Sequence, residues 1–273
     1  MRSIGILNFI LFFLVAGIAA QKKQLIPPGT VQINDTLFAD KLEVDNVGWR
    51  EYLFYLRRFD SAEQEKALPD TLVWGSDSSS KAMQEYYFRH PGFSNYPVVG
   101  ISYQQALAFC AWRTAQVNFG YYIKENKITD WENHLKDPYP IRLYYRLPTE
   151  KEWEWLAAGD KPGAAYPYGI DSVYRKWKKE YRKTFNCRYP EDTLASQQAK
   201  QIRYYTTAGG SFWPNSSHLY NMIGNVAEMV QEEGIAKGGS FHHQLEECKI
   251  KNNQPYTGPE RWLGFRCVAV ILK

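Results

Sequence analysis

Apolar residues fall at three spacings along this chain, and each predicts a different element. The first is an unbroken run: Ile4 to Val15 is apolar apart from Gly5 and Asn8, behind Arg2 and ahead of Gly17-Ile18-Ala19-Ala20. A membrane-spanning helix needs about 20 apolar residues, so this shorter run with a basic start and small residues at its end predicts a cleaved signal peptide over 1–20. The second spacing is helical. Trp49, Tyr52, Leu53, Leu56 and Phe59 recur every three to four residues, which predicts an amphipathic helix capped by Asp45 or Asn46, its stripe facing the core. Ser102 with Gln105, and Thr149 with Glu152, stand at capping-box spacing before two more helices. Ala106, Leu107, Phe109 and Cys110 follow the first box, and Trp153, Leu156 and Ala157 the second. The third spacing is alternation, as in Val31-Gln32-Ile33, which predicts a short strand. Pro97 to Ile101 reads as a short buried strand and the polar Ser61 to Lys66 as a loop. Residues 118–145 read as a loop insertion within one domain spanning 21–273.

His218 to Cys248 follows none of these spacings. Gly224, Gly238 and Gly239 break it with backbone freedom, and Asn225 and Glu228 place two oxygen donors three residues apart. Brought to one point, they suit a hard cation such as calcium, which takes amide and carboxylate oxygens together. The same residue types also suit a turn-capping Asn and a solvent-facing Glu. Glu150, Glu152 and Glu154 do not make an acid–base pair, since helix neighbours two apart diverge; at a helix start they complement its dipole.

Composition narrows the choice. Aromatics make up 16% of the chain, with 20 Tyr and 9 Trp, and the formal charge is +4. Such a chain folds rather than staying disordered, and without a basic stripe it gives no reason to expect a nucleic-acid partner. Arg175-Lys176-Trp177-Lys178-Lys179 is followed by Glu180 and reads as a solvated face. No membrane span is expected once the leader is removed. Four cysteines in an exported chain allow two bridges in three pairings.

Several segments, in order, resemble one family. Leu219 to Met229 and Gly238-Gly239-Ser240-Phe241 are similar to the signature of formylglycine-generating (sulfatase-modifying factor) domains. So are Tyr96-Pro97-Val98-Val99, Ala108 to Trp112, Arg146 to Glu154, Tyr166-Pro167-Tyr168-Gly169 and Gly264-Phe265-Arg266-Cys267. The resemblance implies an α+β fold, C-type-lectin-like, with short twisted strands, two or three helices and much irregular backbone. It implies a Cys110–Cys267 disulfide and a calcium-binding Asn at Asn186. It also implies a Cu(I) site of two cysteines after Gly-Gly-Ser, used with oxygen to oxidise a substrate cysteine. Counted onward from Phe241, the first of those positions holds His243 and the second Cys248, while Ser240 beside them is kept. An imidazole–thiolate pair loses the linear dithiolate geometry that suits a soft monovalent metal, so weaker copper binding is expected. Cys248 is therefore half of an altered metal site, or bridged to Cys187, or a free or intermolecular thiol.

Two functions remain. Asn46 to Leu53, Trp112-Arg113-Thr114 and Gly224 to Glu228 resemble gliding-motility and type IX secretion lipoproteins of the Bacteroidetes, which implies a non-catalytic binding or structural part of the periplasm or outer membrane, with envelope proteins as partners. The chain departs from those proteins in being short and in lacking a lipidated cysteine. The alternative is a formylglycine-generating oxidase acting on a peptide or sulfatase. Family resemblance speaks for fold more strongly than for activity.

Overall fold

The computed structural model describes residues 25–75, 78–169, 174–177, 180–183, 185–188 and 205–272; the expected signal peptide lies outside them. In chain order the elements are β1 (Thr30–Gln32), β2 (Leu37–Asp40), α1 (Asn46–Phe59), α2 (Ser61–Lys66), α3 (Ser78–Tyr86), α4 (Tyr103–Glu125), β3 (Leu143–Arg146) and α5 (Glu150–Ala158). Then follow β4 (Tyr174–Trp177), β5 (Glu180–Lys183), β6 (Ala227–Met229), β7 (Ile235–Lys237), β8 (Gln254–Pro255), β9 (Leu263–Gly264) and β10 (Val268–Ile271). This is the expected α+β arrangement, with five α-helices among the described residues instead of two or three.

Two four-stranded sheets carry it. The first runs β1-β2-β10-β3 and is antiparallel throughout, so the last strand sits between the second and third, with Val268 opposite both Ala39 and Arg146. The second runs β8-β7-β6-β9, with β6 and β9 parallel; among the described residues β4 and β5 pair only with each other. The long helix α4 serves β3 directly. Buried Asn118 accepts from the Arg142 and Leu143 amides and donates to the Leu143 carbonyl, while Thr114 accepts from the Tyr145 amide. Those contacts satisfy backbone groups that an edge strand would otherwise leave exposed. Against this frame Trp49 stacks on Phe109 at 5.3 Å, and Phe265 meets both edge-to-face.

Both capping boxes form, at Ser102/Gln105 and Thr149/Glu152, and Asp45 caps α1 through the Gly48 amide. Four expectations are corrected. Helix α4 continues to Glu125 and β3 starts at Leu143, so the expected 118–145 insertion shrinks to the connection between them. Ser61–Lys66 is a helix because Asp60 caps it through the Glu63 amide, although none of its side chains is buried. Pro97 to Ile101 is buried but not laddered: the Val98 amide bonds to Val44 and the Gly100 amide to Glu260. Phe59, at the end of the α1 stripe, is exposed.

Candidate functional site

The glycine-rich stretch is a bend that folds inward, not a helix. Asn221, Gly224 and Asn225 all take left-handed backbone angles, with φ of 55°, 75° and 61°, a region Asn and Gly tolerate best. A Cβ on Gly224 would run into the Asn186 carbonyl oxygen. That close approach lets the Asn225 amide donate to the Asn186 oxygen at 2.8 Å, while the Gly224 amide donates to Gly238 at 3.0 Å. The bend turns Asn221 and Asn225 toward Glu43, and each donates to one carboxyl oxygen at 2.9 Å.

Next to this pair lies a buried ion pair. Arg266 donates from Nε and Nη2 to both oxygens of Glu228 at 2.6 and 2.5 Å, and Trp153 Nε1 adds a third bond at 2.7 Å. The remaining guanidinium hydrogens reach the carbonyls of Asp40 and Tyr220 at 3.0 and 2.7 Å. Burial works against the arginine's charge, but Glu228 outweighs it and raises the pKa. Glu43 is served less well. Burial pushes its pKa up to about 7; Arg266 pulls the other way and Glu228 adds to the rise. Two carboxylates share one guanidinium, Glu228 holds it bidentately, and Glu43 is left with amide donors.

These contacts decide how well a calcium ion fits. Asn186 and Asn225 are brought together, Asn186 Nδ2 donating to Asn225 Oδ1 at 3.3 Å. Glu228 does not join them: it sits on β6, and a buried guanidinium already occupies both of its oxygens. The Asn225 oxygen in turn accepts from the Thr207 amide at 2.8 Å. The expected convergence of Asn225 and Glu228 on one point is therefore corrected, and these three residues do not fit a hard divalent cation. Arg266 supplies the positive charge itself.

Downstream the chain forms a sulfur and imidazole region. Ser240 Oγ and His243 Nδ1 share a hydrogen bond at 2.7 Å, and the His243 ring meets Trp262 edge-on at 4.9 Å. Burial lowers the His243 pKa to about 4; Glu247 opposes this, while His242 and Arg188 add to it. The imidazole is neutral at pH 7. It borders an open cleft of about 440 Å³ that Glu247, Lys251, Asn252, Asn253 and Trp262 also line. Cys248 is not part of that lining. It is wholly buried, packs with Cys187, Phe185 and Ile223, and turns its sulfur toward the Gln244 carbonyl at 3.4 Å. Among the described residues no three His, Cys, Asp or Glu side chains are placed to hold a metal ion. The buried sulfurs of Cys110 and Cys267 lie 3.5 Å apart, so the two cysteines that the resemblance joins are brought together.

A model of the sulfatase-modifying factor enzyme 1-like domain matches residues 13–271. The chain belongs to that family. Among relatives in it, the mouse protein named inactive C-alpha-formylglycine-generating enzyme 2 is 23% identical over 255 residues, 83% of this chain and 67% of that protein. Its bovine counterpart is 25% identical over 191 residues, 64% of this chain and 50% of that protein. The formylglycine-generating enzyme of Thermomonospora curvata is 28% identical over 170 residues, 61% of this chain and 43% of the other. The chain thus spans half to two thirds of the length of its inactive-enzyme relatives. Of solved structures, the one titled "Crystal Structure of CarF" superposes with a TM-score of 0.51 at 17% identity, over 86% of this chain and 87% of that one; this shows the shared fold alone.

Within this family fold, the structure unites Ser240 with His243, Cys248 with Cys187, Asn186 with Asn225, and Cys110 with Cys267. Glu228 bonds Arg266 and Trp153 and not the asparagines. The three early glutamates of α5 are structural: Glu152 grips Arg146, while Glu150 and Glu154 meet the fully buried Lys237. Glu43 is the residue that sequence reasoning missed. Its signal was a lone acid before the Asp45 cap, with nothing local to mark it as buried.

Proposed function

We propose that this chain is an exported, non-catalytic sulfatase-modifying-factor-like protein, a binding or structural component of the bacterial cell envelope of the gliding-motility or type IX secretion kind. One observation carries the reading: the cleft beside Ser240 presents a neutral imidazole and no sulfur, with Cys248 buried behind it. A polar cleft with an aromatic wall at Trp262 suits a peptide segment of a partner, whose backbone groups Asn252 and Asn253 can bond. The relatives named inactive support loss of catalysis within this family. The envelope assignment is supported by the leader-like residues 1–20 and the resemblance of Asn46 to Leu53. Among the described residues no helix is long and apolar enough to cross a membrane.

The test is a photo-crosslinking amino acid at Trp262 in cells carrying the full chain, with Phe54 on the exposed face of α1 as control. Capture of one envelope protein from Trp262 and not from Phe54 is the expected result. Equal capture from both positions, or none from Trp262, overturns the reading.

A second reading, oxidation of a substrate cysteine to formylglycine, has one observation in its favour. Cys187 provides the second sulfur that His243 does not, and two thiolates suit Cu(I). Against it, Cys248 is held protonated by its hydrogen bond with Cys187 and by burial, both of which raise its pKa.

A further inference from the structure

Cys187 belongs to a short segment that the rest of the fold grips from two sides. On one side the Asn186 carbonyl accepts from the Asn225 amide at 2.8 Å. On the other the Arg188 amide donates to the His243 carbonyl at 2.9 Å and the Leu245 amide donates to the Arg188 carbonyl at 3.0 Å. Bridges of parallel sense form at Asn186 with Gly224 and at Arg188 with Gln244. The side chain of the residue between them packs into the cluster of Phe185, Ile223 and Cys248. Cys248 reaches the same place from the turn Leu245–Cys248, under Gly239, where a Cβ on the glycine would strike the sulfur. Both cysteines are buried, at 1% and 0% exposure.

We propose that Cys187 and Cys248 are joined by a disulfide in the mature protein, fastening segment 185–188 beneath the glycine bend and fixing the floor of the His243 cleft. The surroundings select this over metal binding. Tyr166, Tyr168 and Leu245 close the cluster, so a Cu(I) dithiolate would bury a net negative charge among apolar groups, whereas a cystine is uncharged. Formation is a two-step exchange with a disulfide oxidant. A thiolate from one cysteine attacks the oxidant's S–S bond and releases one thiol. The second cysteine then displaces the other, so the Sγ–Sγ bond forms as two protons and two electrons pass to the oxidant. Because neither sulfur is accessible in the folded chain, the exchange precedes closure of the cluster. The bridge also withholds both sulfurs from any soft metal. This inference is independent of the proposed function, since either reading of the cleft survives its failure.

The experiment maps the wild-type full chain, produced in an oxidising compartment, alkylated in denaturant without reductant, digested and weighed. A peptide pair carrying Cys187 and Cys248, two hydrogens lighter than the sum and split by reductant, is expected. Recovery of both cysteines as alkylated free thiols, or of either linked to Cys110 or Cys267, overturns the proposal. A second measurement reads metal uptake instead of peptide mass. The as-isolated protein, offered Cu(I) against a competing chelator, is expected to take up none; one equivalent bound, and lost in Cys187→Ser, would make the pair a metal site and overturn the bridge.

Discussion

Replacing Arg266 with Met tests the buried charge network most severely. The substitution removes both bonds to Glu228 and those to the Asp40 and Tyr220 carbonyls, leaving a carboxylate at 1% exposure with only Trp153 as donor. Breaking a buried pair by deleting one partner costs about 3–5 kcal/mol, a large part of the roughly 5–15 kcal/mol that holds a domain together. At roughly 2–4 °C per kcal/mol for a domain of this size, the melting temperature falls by roughly 6–20 °C. The double variant Arg266→Met/Glu228→Gln removes the orphaned charge and recovers about 1–3 kcal/mol of the loss, as coupled neighbours do. Urea unfolding followed by tryptophan fluorescence reads all four corners of the cycle, and Trp153 reports from the site itself. A loss of less than about 1 kcal/mol in the single variant, or a double variant no more stable than the sum of its parts, would refute a buried charge pair at this site.

Four further outcomes follow. Gly224→Ala and Gly239→Ala are each expected to destabilise by about 2 kcal/mol or more, through strained left-handed backbone and direct collision with the Asn186 carbonyl or the Cys248 sulfur; denaturant midpoints within error of wild type would contradict this. Glu43, its folded pKa raised to about 7 from 4.5, binds more protons folded than unfolded between those values, so its contribution falls as pH rises through that window. The full shift is on the order of 3 kcal/mol. His243, lowered to about 4 from 6.5, has the opposite sign, its contribution being lost as pH falls from 6.5 toward 4. Glu43→Gln therefore gives a stability curve rising more steeply than wild type between pH 4.5 and 6.5, and a parallel curve would count against the buried carboxyl. Calcium chelation is expected to leave the melting temperature unchanged, because Arg266 already neutralises Glu228; a drop reversed by added calcium would show that the guanidinium is not the resident cation.

Local features of this fold were open to reading because their causes are local. Asp45, Ser102 and Thr149 announce helix starts through their own side chains, and the Trp49 to Leu56 stripe shows which face is buried. The motif run that carries the resemblance fixed the family and the α+β class, and the family's signature stretch is the bend that gathers the site. What could not be read is long-range pairing. Glu43 and Asn225 meet across 182 residues of chain, and nothing around either names the other. Arg266 stood within a recognised motif, yet its choice of Glu228 as partner depends on β6 and β9 lying side by side. The sequence placed Asn225 and Glu228 as if on one turn; Glu228 instead lies on a strand, facing the arginine. The pairing of Cys187 with Cys248 stayed one of three alternatives for a different reason: its neighbourhood has no periodicity, and it is the backbone bridges at Asn186 and Arg188 that bring it to Cys248.

The most direct measurement of whether this domain has given up its family's chemistry is mass spectrometry of a cysteine-containing sulfatase peptide incubated with the purified full chain, Cu(I) and oxygen. The buried Cys248 and the sulfur-free cleft predict a peptide of unchanged mass after prolonged incubation. Conversion of its cysteine to the aldehyde, abolished by Cys248→Ser, would contradict a non-catalytic role.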